Sequence, residues 1–134
     1  MGISMTQVPK IELSRGSMDA MYLLLNTVFA DHVTERKEIE IIVNSLADLK
    51  LTDAEDKLLS TADALYWLEQ NHDKVKAQYS GSKRHIELVI LLTRMARRDD
   101  LEVLAKIVVD ICRSDGVYHH NEKVLLDMMN SYWK

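Results

Sequence analysis

The chain has 134 residues, 47% of them apolar and 28% charged, which is typical of one folded globular domain and too short for two independent cores. Its 17 Lys and Arg against 21 Asp and Glu give a net charge of −4, so neither a general nucleic-acid binder nor a basic membrane-surface domain is expected. The single cysteine, Cys112, excludes an intramolecular disulfide framework and a thiolate-rich zinc site.

The first ten residues lack the basic segment followed by an apolar run that marks a secretory signal. The longest apolar run, residues 88–92, is far too short to cross a bilayer. We therefore expect a cytoplasmic protein without a membrane segment. Residues 1–16 are expected to form a flexible N-terminal tail, followed by one helical domain over residues 17–134.

Few helix breakers interrupt the chain. Pro9 is the only proline, and only Gly81 and Gly116 follow Ser17. The rest of the chain is rich in Leu, Ala, Met, Glu and Lys and lacks the alternation of apolar and polar residues that is typical of a β-strand. This pattern predicts an all-α fold. We predict a single-domain bundle of six or seven helices.

In chain order, the helices are placed from N-caps and from apolar positions that recur every 3.6 residues. Ser17 is the predicted N-cap of the first helix, and Thr52 forms a capping box with Glu55. The predicted helices cover residues 18–30, residues 35–50, a short stretch from 52, residues 61–79, residues 84–98, a stretch after Asp100, and a stretch from the Gly116 turn to Trp133.

Two segments of the chain resemble each other. Residues 31–38 and 115–122 both fit the pattern D-x-V-x4-E. Each lies between the end of one predicted helix and the start of the next, with apolar residues on both sides. This arrangement indicates an internal pseudo-two-fold repeat within the bundle.

A calcium-binding EF-hand is the first metal site to consider, because Asp115 and Gly116 precede Glu122 as positions 5 and 6 of that loop precede position 12. Positions 1 and 3 would then be Ile111 and Arg113, so the early carboxylates are missing. An ordinary EF-hand is therefore excluded.

The four acidic residues of the repeat, Asp31, Glu38, Asp115 and Glu122, each lie at the end of an apolar stripe, where an unpaired carboxylate is costly to bury. One interpretation is that they cap the helices that follow. The other is that the two junctions meet across the pseudo-two-fold axis, and that the four carboxylates bind a divalent cation such as Ca²⁺, Mg²⁺, Mn²⁺ or Zn²⁺.

Two histidines, His119 and His120, adjoin the second junction and would add nitrogen ligands for zinc or manganese. Adjacent histidines seldom bind one ion, so solvated loop residues are the alternative interpretation.

The D-G-V-x3-N-E stretch at residues 115–122, its degenerate partner at residues 31–38 and the helical frame between them resemble the TerB-like family of tellurite-resistance proteins. A related domain begins certain membrane-anchored J-domain co-chaperones. The resemblance covers roughly residues 17–134 and implies a pseudo-symmetric helical fold, a role in bacterial stress or tellurite resistance, and metal binding by the four acidic residues. His32 stands where the family tends to have glycine, and the co-chaperone signature His-Pro-Asp is absent.

Arg94, Arg97 and Arg98 form a basic patch near the end of the predicted helix 84–98. Phosphate binding is one interpretation of this patch, and complementing the helix dipole is the other. No aromatic residues alternate with the arginines, so stacking on a single-stranded nucleic acid is not expected.

No serine or cysteine lies in a motif for nucleophilic catalysis, and no glycine-rich loop is present to cradle a phosphate. We therefore expect a binding domain without catalytic residues, which takes a divalent cation and an unidentified protein partner. A homodimer is compatible with the sequence. The alternative is a protein–protein interaction scaffold whose acidic residues are structural helix caps.

Overall fold

A computed structural model describes residues 11–29, 36–113 and 120–133. Within these ranges it contains six α-helices and no β-strand, which confirms the predicted all-α bundle. No helix of the described ranges has the length and apolar character needed to cross a membrane. The helices are α1 (Arg15–Phe29), α2 (Arg36–Leu49), α3 (Thr61–Gln78), α4 (Arg84–Met95), α5 (Leu101–Arg113) and α6 (His120–Tyr132), with a 3₁₀ turn (Gly81–Lys83) before α4.

The central helix is α1, which packs against α2, α3, α4 and α5. Its completely buried polar residues are Asn26 and Thr27, and buried polar groups require hydrogen-bond partners. The Thr27 hydroxyl donates to the carbonyl oxygen of Leu23 at 2.9 Å, and the Asn26 amide donates to that of Tyr22 at 2.9 Å. The Asn26 Oδ1 also accepts from Arg84 of α4 at 3.2 Å, so α1 is tied to α4 as well as packed on it.

The hydrophobic core surrounds α1 and receives apolar side chains from all six helices. α5 packs on both α1 and α2, and α6 packs on α4. Complete burial of one large aliphatic side chain stabilises the fold by about 1.5 to 3 kcal/mol. The largest completely buried side chains are Met21, Leu23, Leu24, Leu25, Ile42, Leu91, Leu92, Met95, Leu104, Ile111 and Leu125.

The first helix begins three residues before the predicted start, and its N-cap is Ser14 rather than Ser17. The Ser14 carbonyl oxygen accepts the N–H of Met18 at 2.9 Å, and its hydroxyl accepts the N–H of Ser17 at 3.4 Å. The Ser17 hydroxyl instead accepts the backbone N–H of Thr52 at 2.8 Å. The predicted N-cap is wrong because Ser17 is used in a contact between distant parts of the chain.

The segment before α1 belongs to the folded domain from residue 11 onward. Leu13 is buried and forms an isolated β-bridge with Asp53. The N–H of Ser14 donates to the carbonyl oxygen of Thr52 at 3.0 Å. The structure thus differs from the predicted tail, residues 1–16, over the last six of those residues, while the first ten lie outside the described ranges.

The short helix predicted from Thr52 is not formed. The Asp53 carboxylate accepts the N–H of Glu55 at 2.8 Å and that of Lys57 at 3.0 Å. A short acidic side chain that binds nearby amides competes with the helix for them, so a turn replaces the helix here. The next helix, α3, begins behind Ser60, whose hydroxyl accepts a first-turn N–H at 3.1 Å.

Candidate functional site

The predicted metal site falls largely outside the described residues. Asp31, Asp115 and His119 are not described, and Glu38 belongs to α2 with a side chain that is not described either. The helices around the two junctions are nevertheless neighbours, because α5, which ends at the second junction, packs on both α1 and α2, which flank the first. The convergence of the four carboxylates stays a prediction.

Of the four predicted acidic ligands, only Glu122 has a described side chain. It lies in the first turn of α6 and is 2% exposed. His120, the first residue of α6, is exposed. Among the described residues, no group of three or more His, Cys, Asp or Glu side chains is arranged to hold a metal ion. Glu122 therefore contributes to the junction a carboxylate that is almost completely removed from water, where hydrogen bonds or a cation must stabilise it.

Two arginines of the predicted basic patch bind oxygen atoms inside the domain. Arg94 binds the carboxylate of Asp19 in α1 through Nη2 at 2.6 Å and through Nε at 3.0 and 3.1 Å. Arg98 binds the two carboxylate oxygens of Asp100 at 2.8 and 2.9 Å and donates to the Gly16 carbonyl oxygen at 2.6 Å. These two guanidinium groups hold α1 and the end of α4 together.

The predicted patch therefore differs from the observed arrangement. α4 ends at Met95, so Arg97 and Arg98 lie in the turn that follows the helix and not in its last turn. Arg97 is exposed. Hydrogen bonding to Arg98 holds the pKa of Asp100 below its usual value, and the same bond raises the pKa of Arg98.

A third arginine completes a line of contacts that we call the arginine seam. The seam consists of Arg84, Arg94 and Arg98, bound respectively to Asn26, Asp19 and Gly16. As the residue number increases from Arg84 to Arg98, the residue number of the partner in α1 decreases from 26 to 16, so the two helices are antiparallel. The seam joins the central helix to α4 through polar contacts along most of its length.

An aromatic cluster lies beside the seam. The ring centroid of Tyr22 is 6.2 Å from that of Trp67 and 6.0 Å from that of Tyr79, within the range of favourable aromatic pairs. Burial raises the pKa of Tyr79 to about 12 and also raises the pKa of Tyr22, with a further contribution from the charge of Asp19. The cluster links α1 to α3 and to the segment after α3.

A cavity of about 320 Å³, which we call the α1–α3 cavity, lies between residues 11–13, α1 and α3. Tyr22, Tyr66 and Trp67 supply its aromatic walls. The Tyr66 hydroxyl is buried and has no hydrogen-bond partner among the described residues. An unpaired buried hydroxyl costs about 1 to 3 kcal/mol, so the packing around this oxygen lowers the stability of the fold. The other lining residues are Ile11, Glu12, Leu13, Met18, Gln70, Asn71 and Lys74.

A second groove of about 270 Å³ lies between α5 and α6. Apart from Glu102 and Asn130, its lining is apolar. The indole N–H of Trp133 in this groove donates to the carbonyl oxygen of Leu92 at 3.1 Å, so its polar atom is satisfied. This groove is smaller and its lining is mainly apolar, whereas the α1–α3 cavity combines aromatic walls with polar side chains and is therefore the better candidate site.

Sequence reasoning did not find the α1–α3 cavity. Trp67 is 4% exposed and belongs to the core, but the same side chain also forms a cavity wall. The one available signal is the spacing of the α3 lining residues, 66, 67, 70, 71 and 74, which places them on a single helix face. The opposing walls come from residues 44 or more positions earlier, and their position depends on the fold.

No protein-family model matches the chain, and neither a curated protein nor a solved structure matches it. These comparisons neither support nor oppose the resemblance to the TerB-like family. That resemblance rests on the residues of the two repeated segments and on the helical frame between them.

Proposed function

We propose that this chain is a helical binding domain that takes a ligand in the α1–α3 cavity and catalyses no reaction. The observation that carries the proposal is a cavity of about 320 Å³ with three aromatic side chains in its walls, those of Tyr22, Tyr66 and Trp67. Ligand sites are concave and mostly apolar, with a few polar groups that orient the ligand. The α1–α3 cavity has this composition.

Binding, rather than catalysis, is favoured by the chemistry of the lining. Its buried and half-buried side chains are aromatic, aliphatic and amide groups, while Glu12 and Lys74 are exposed. Cys112 lies completely buried in α5, away from the cavity lining, and buried structural cysteines are inert. The proposed setting follows the TerB-like resemblance: a cytoplasmic, stress-associated domain that works with a protein partner.

A titration with toluene, followed by ¹H–¹⁵N NMR, tests whether the cavity accepts a ring. We expect the indole N–H signal of Trp67 and the amide signals of Leu13 and Tyr22 to shift, because these residues line the cavity. The indole signal of Trp133, which lies in the α5–α6 groove, is the internal control. The variant Trp133→Phe assigns the two indole signals.

Two results would contradict the proposal. If toluene at its solubility limit shifts none of the cavity signals, or shifts only those of Trp133 and its neighbours, the α1–α3 cavity is not the binding site.

A second candidate function is the binding of a divalent cation at the two junctions, and the burial of Glu122 favours it. The donor set would be the carboxylates of Asp31, Glu38, Asp115 and Glu122. Carboxylate oxygens are the ligands of hard cations such as Ca²⁺ and Mg²⁺, so the residues fit such an ion chemically. The bound ion would neutralise clustered negative charge and thereby stabilise the native state.

The variant Glu122→Gln separates metal binding from helix capping. If the junction binds a cation, a hundredfold excess of the ion over its Kd stabilises the wild type by about 2.7 kcal/mol and leaves the variant unchanged. If Glu122 only caps α6, the variant is destabilised by about 0.5 to 2 kcal/mol whatever ions are present. Thermal unfolding with EDTA and with each of Ca²⁺, Mg²⁺, Mn²⁺ and Zn²⁺ measures the difference.

Glu102→Gln is the matched control, because Glu102 occupies the first turn of α5 and is exposed. Equal melting temperatures with and without every ion, together with equal destabilisation of Glu122→Gln in both buffers, would reject the metal. The acidic residues would then be structural caps of an interaction scaffold.

A further inference from the structure

We infer that this chain associates with a second copy of itself, through a contact in which an exposed leucine of one copy packs on a basic face of α4 in the other. The leucine, Leu58, lies in a segment that we call the acidic turn, residues 53–63. The α4 face consists of Lys83, Ile86, Ile90 and Arg97. Neither surface includes a lining residue of the α1–α3 cavity, so the inference does not depend on the proposed function.

Both surfaces expose large apolar side chains. Among the described residues, the three most exposed of these are Leu58 at 71%, Ile86 at 63% and Ile90 at 49%. The two isoleucines are four residues apart, so they lie on adjacent turns of one helix face with about 5 to 6 Å between their Cβ atoms. The hollow between two such side chains accepts a single aliphatic side chain from a facing surface, as in knobs-into-holes packing.

The two surfaces also carry opposite charges. Residues 53–63 contain four acidic residues and one lysine, which gives a net charge of −3. Residues 83–97 contain four Lys and Arg residues and one glutamate, which gives a net charge of +3. An apolar centre is therefore surrounded by negative charge on one surface and by positive charge on the other.

Several of these charges are available to a partner. Lys83 and Arg97 are exposed and form no ion pair with a described residue, whereas Arg94 already binds a carboxylate within its own domain. Asp56 and Asp63 of the acidic turn are likewise exposed and form no ion pair with a described residue. Charges of both signs thus remain for contacts between molecules.

Charge determines which of these surfaces can meet. Two acidic turns repel each other, and so do two α4 faces, whereas an acidic turn and an α4 face attract each other. A second copy of the chain supplies the opposite charge and the matching apolar side chain on the same surface. Both surfaces are exposed within one copy, so the contact requires another molecule. A contact of this small size is expected to be weak and transient.

Sedimentation velocity of the full chain, at micromolar to millimolar concentrations, measures the Kd of self-association. We expect Leu58→Ser to raise this Kd at least about tenfold, because the leucine no longer buries apolar surface. Ile86→Ser should have a similar effect, and α4 is retained because serine and isoleucine have similar helix propensities. Tyr132→Ser is the matched control, since Tyr132 is 40% exposed and lies outside both surfaces, and it should leave the Kd unchanged. Circular dichroism checks that each variant is folded.

An equimolar mixture of two variants tests the contact itself. Leu58→Ser retains the α4 face, and Ile86→Ser retains the acidic turn, so the leucine of the second variant can pack on the α4 face of the first. We expect the mixture to associate with a Kd well below that of either variant alone. This result is expected whether the contacts are reciprocal across a two-fold axis or run in one direction, because both arrangements contain the same contact.

Salt tests the contribution of charge. Raising NaCl from about 0.05 M to about 0.5 M should raise the wild-type Kd, because the ions screen the attraction between the two surfaces. A Kd that is unchanged or lower at high salt would overturn the pairing of opposite charges.

Three further results would overturn the inference. The first is a wild type that stays monomeric at millimolar concentration. The second is a Leu58→Ser variant that associates as tightly as the wild type, which would indicate a contact that does not use the acidic turn. The third is a mixture of Leu58→Ser and Ile86→Ser that associates no more tightly than the separate variants.

Discussion

Replacing Arg94 by methionine is expected to lower the free energy of unfolding by about 2 to 3 kcal/mol. The reason is the asymmetry of its ion pair: the Asp19 side chain is 8% exposed, whereas that of Arg94 is 45% exposed. Without Arg94, the Asp19 carboxylate remains buried and loses three charge-assisted contacts. The exposure of the arginine places the expected cost below that of a completely buried pair. Urea unfolding monitored by circular dichroism measures it.

Replacing the acidic partner, Asp19, should lower the free energy of unfolding by less. In Asp19→Leu the arginine left behind reaches solvent, so we expect a loss of about 1 kcal/mol. The double variant should be close to Asp19→Leu alone, which gives a coupling energy of about 2 kcal/mol. Arg97→Met is the matched control, since Arg97 is exposed, and it should change stability by less than about 0.5 kcal/mol. Equal losses in Arg94→Met and Arg97→Met would contradict the structural role of the ion pair.

Raising the pH from 10 to 12 is expected to destabilise the protein by about 2 kcal/mol through Tyr79. In the unfolded chain this tyrosine ionises near its ordinary pKa of 10.0, whereas burial in the fold raises its pKa to about 12. Between these values the folded state retains a proton that the unfolded state has lost, so stability falls as the pH rises. The contribution is complete below pH 10 and is lost progressively up to pH 12.

Denaturant unfolding of wild type and Tyr79→Phe at pH 9, 10, 11 and 12 measures this loss. The variant lacks the ionisable group, so its stability should depend less steeply on pH above 10. Tyr132→Phe, at an exposed position, is the control and should follow the wild-type curve. A Tyr79→Phe curve with the wild-type slope would show that Tyr79 does not carry the alkaline sensitivity.

Local patterns were sufficient to predict the helices because helix formation depends on neighbouring residues. The scarcity of proline and glycine and the spacing of apolar residues place all six described helices within a few residues of their observed bounds. The same reasoning failed after Lys50, since Thr52 and Glu55 have the spacing of a capping box. The Thr52 hydroxyl instead donates to that of Ser14, 38 residues away, and no local pattern contains that contact.

The candidate site depends on contacts between residues that are still farther apart in the sequence. Asp19 and Arg94 are 75 residues apart, so the sequence shows an arginine cluster but not the carboxylate that binds it. The α1–α3 cavity likewise combines residues 11–22 with residues 66–74. The three aromatic walls of the cavity, Tyr22, Tyr66 and Trp67, are brought together by packing and have no signature in the order of residues.

The arginine seam also determines the alignment of α1 with α4. Apolar contacts are non-directional, so packing alone discriminates weakly between this alignment and one in which α4 slides by a helical turn, about 5.4 Å. Such a slip would separate Arg84, Arg94 and Arg98 from their oxygen partners at once, which makes every displaced packing costly. The seam thus selects a single arrangement among otherwise similar ones. Because Tyr22 belongs to α1, that selection also fixes where the cavity wall stands.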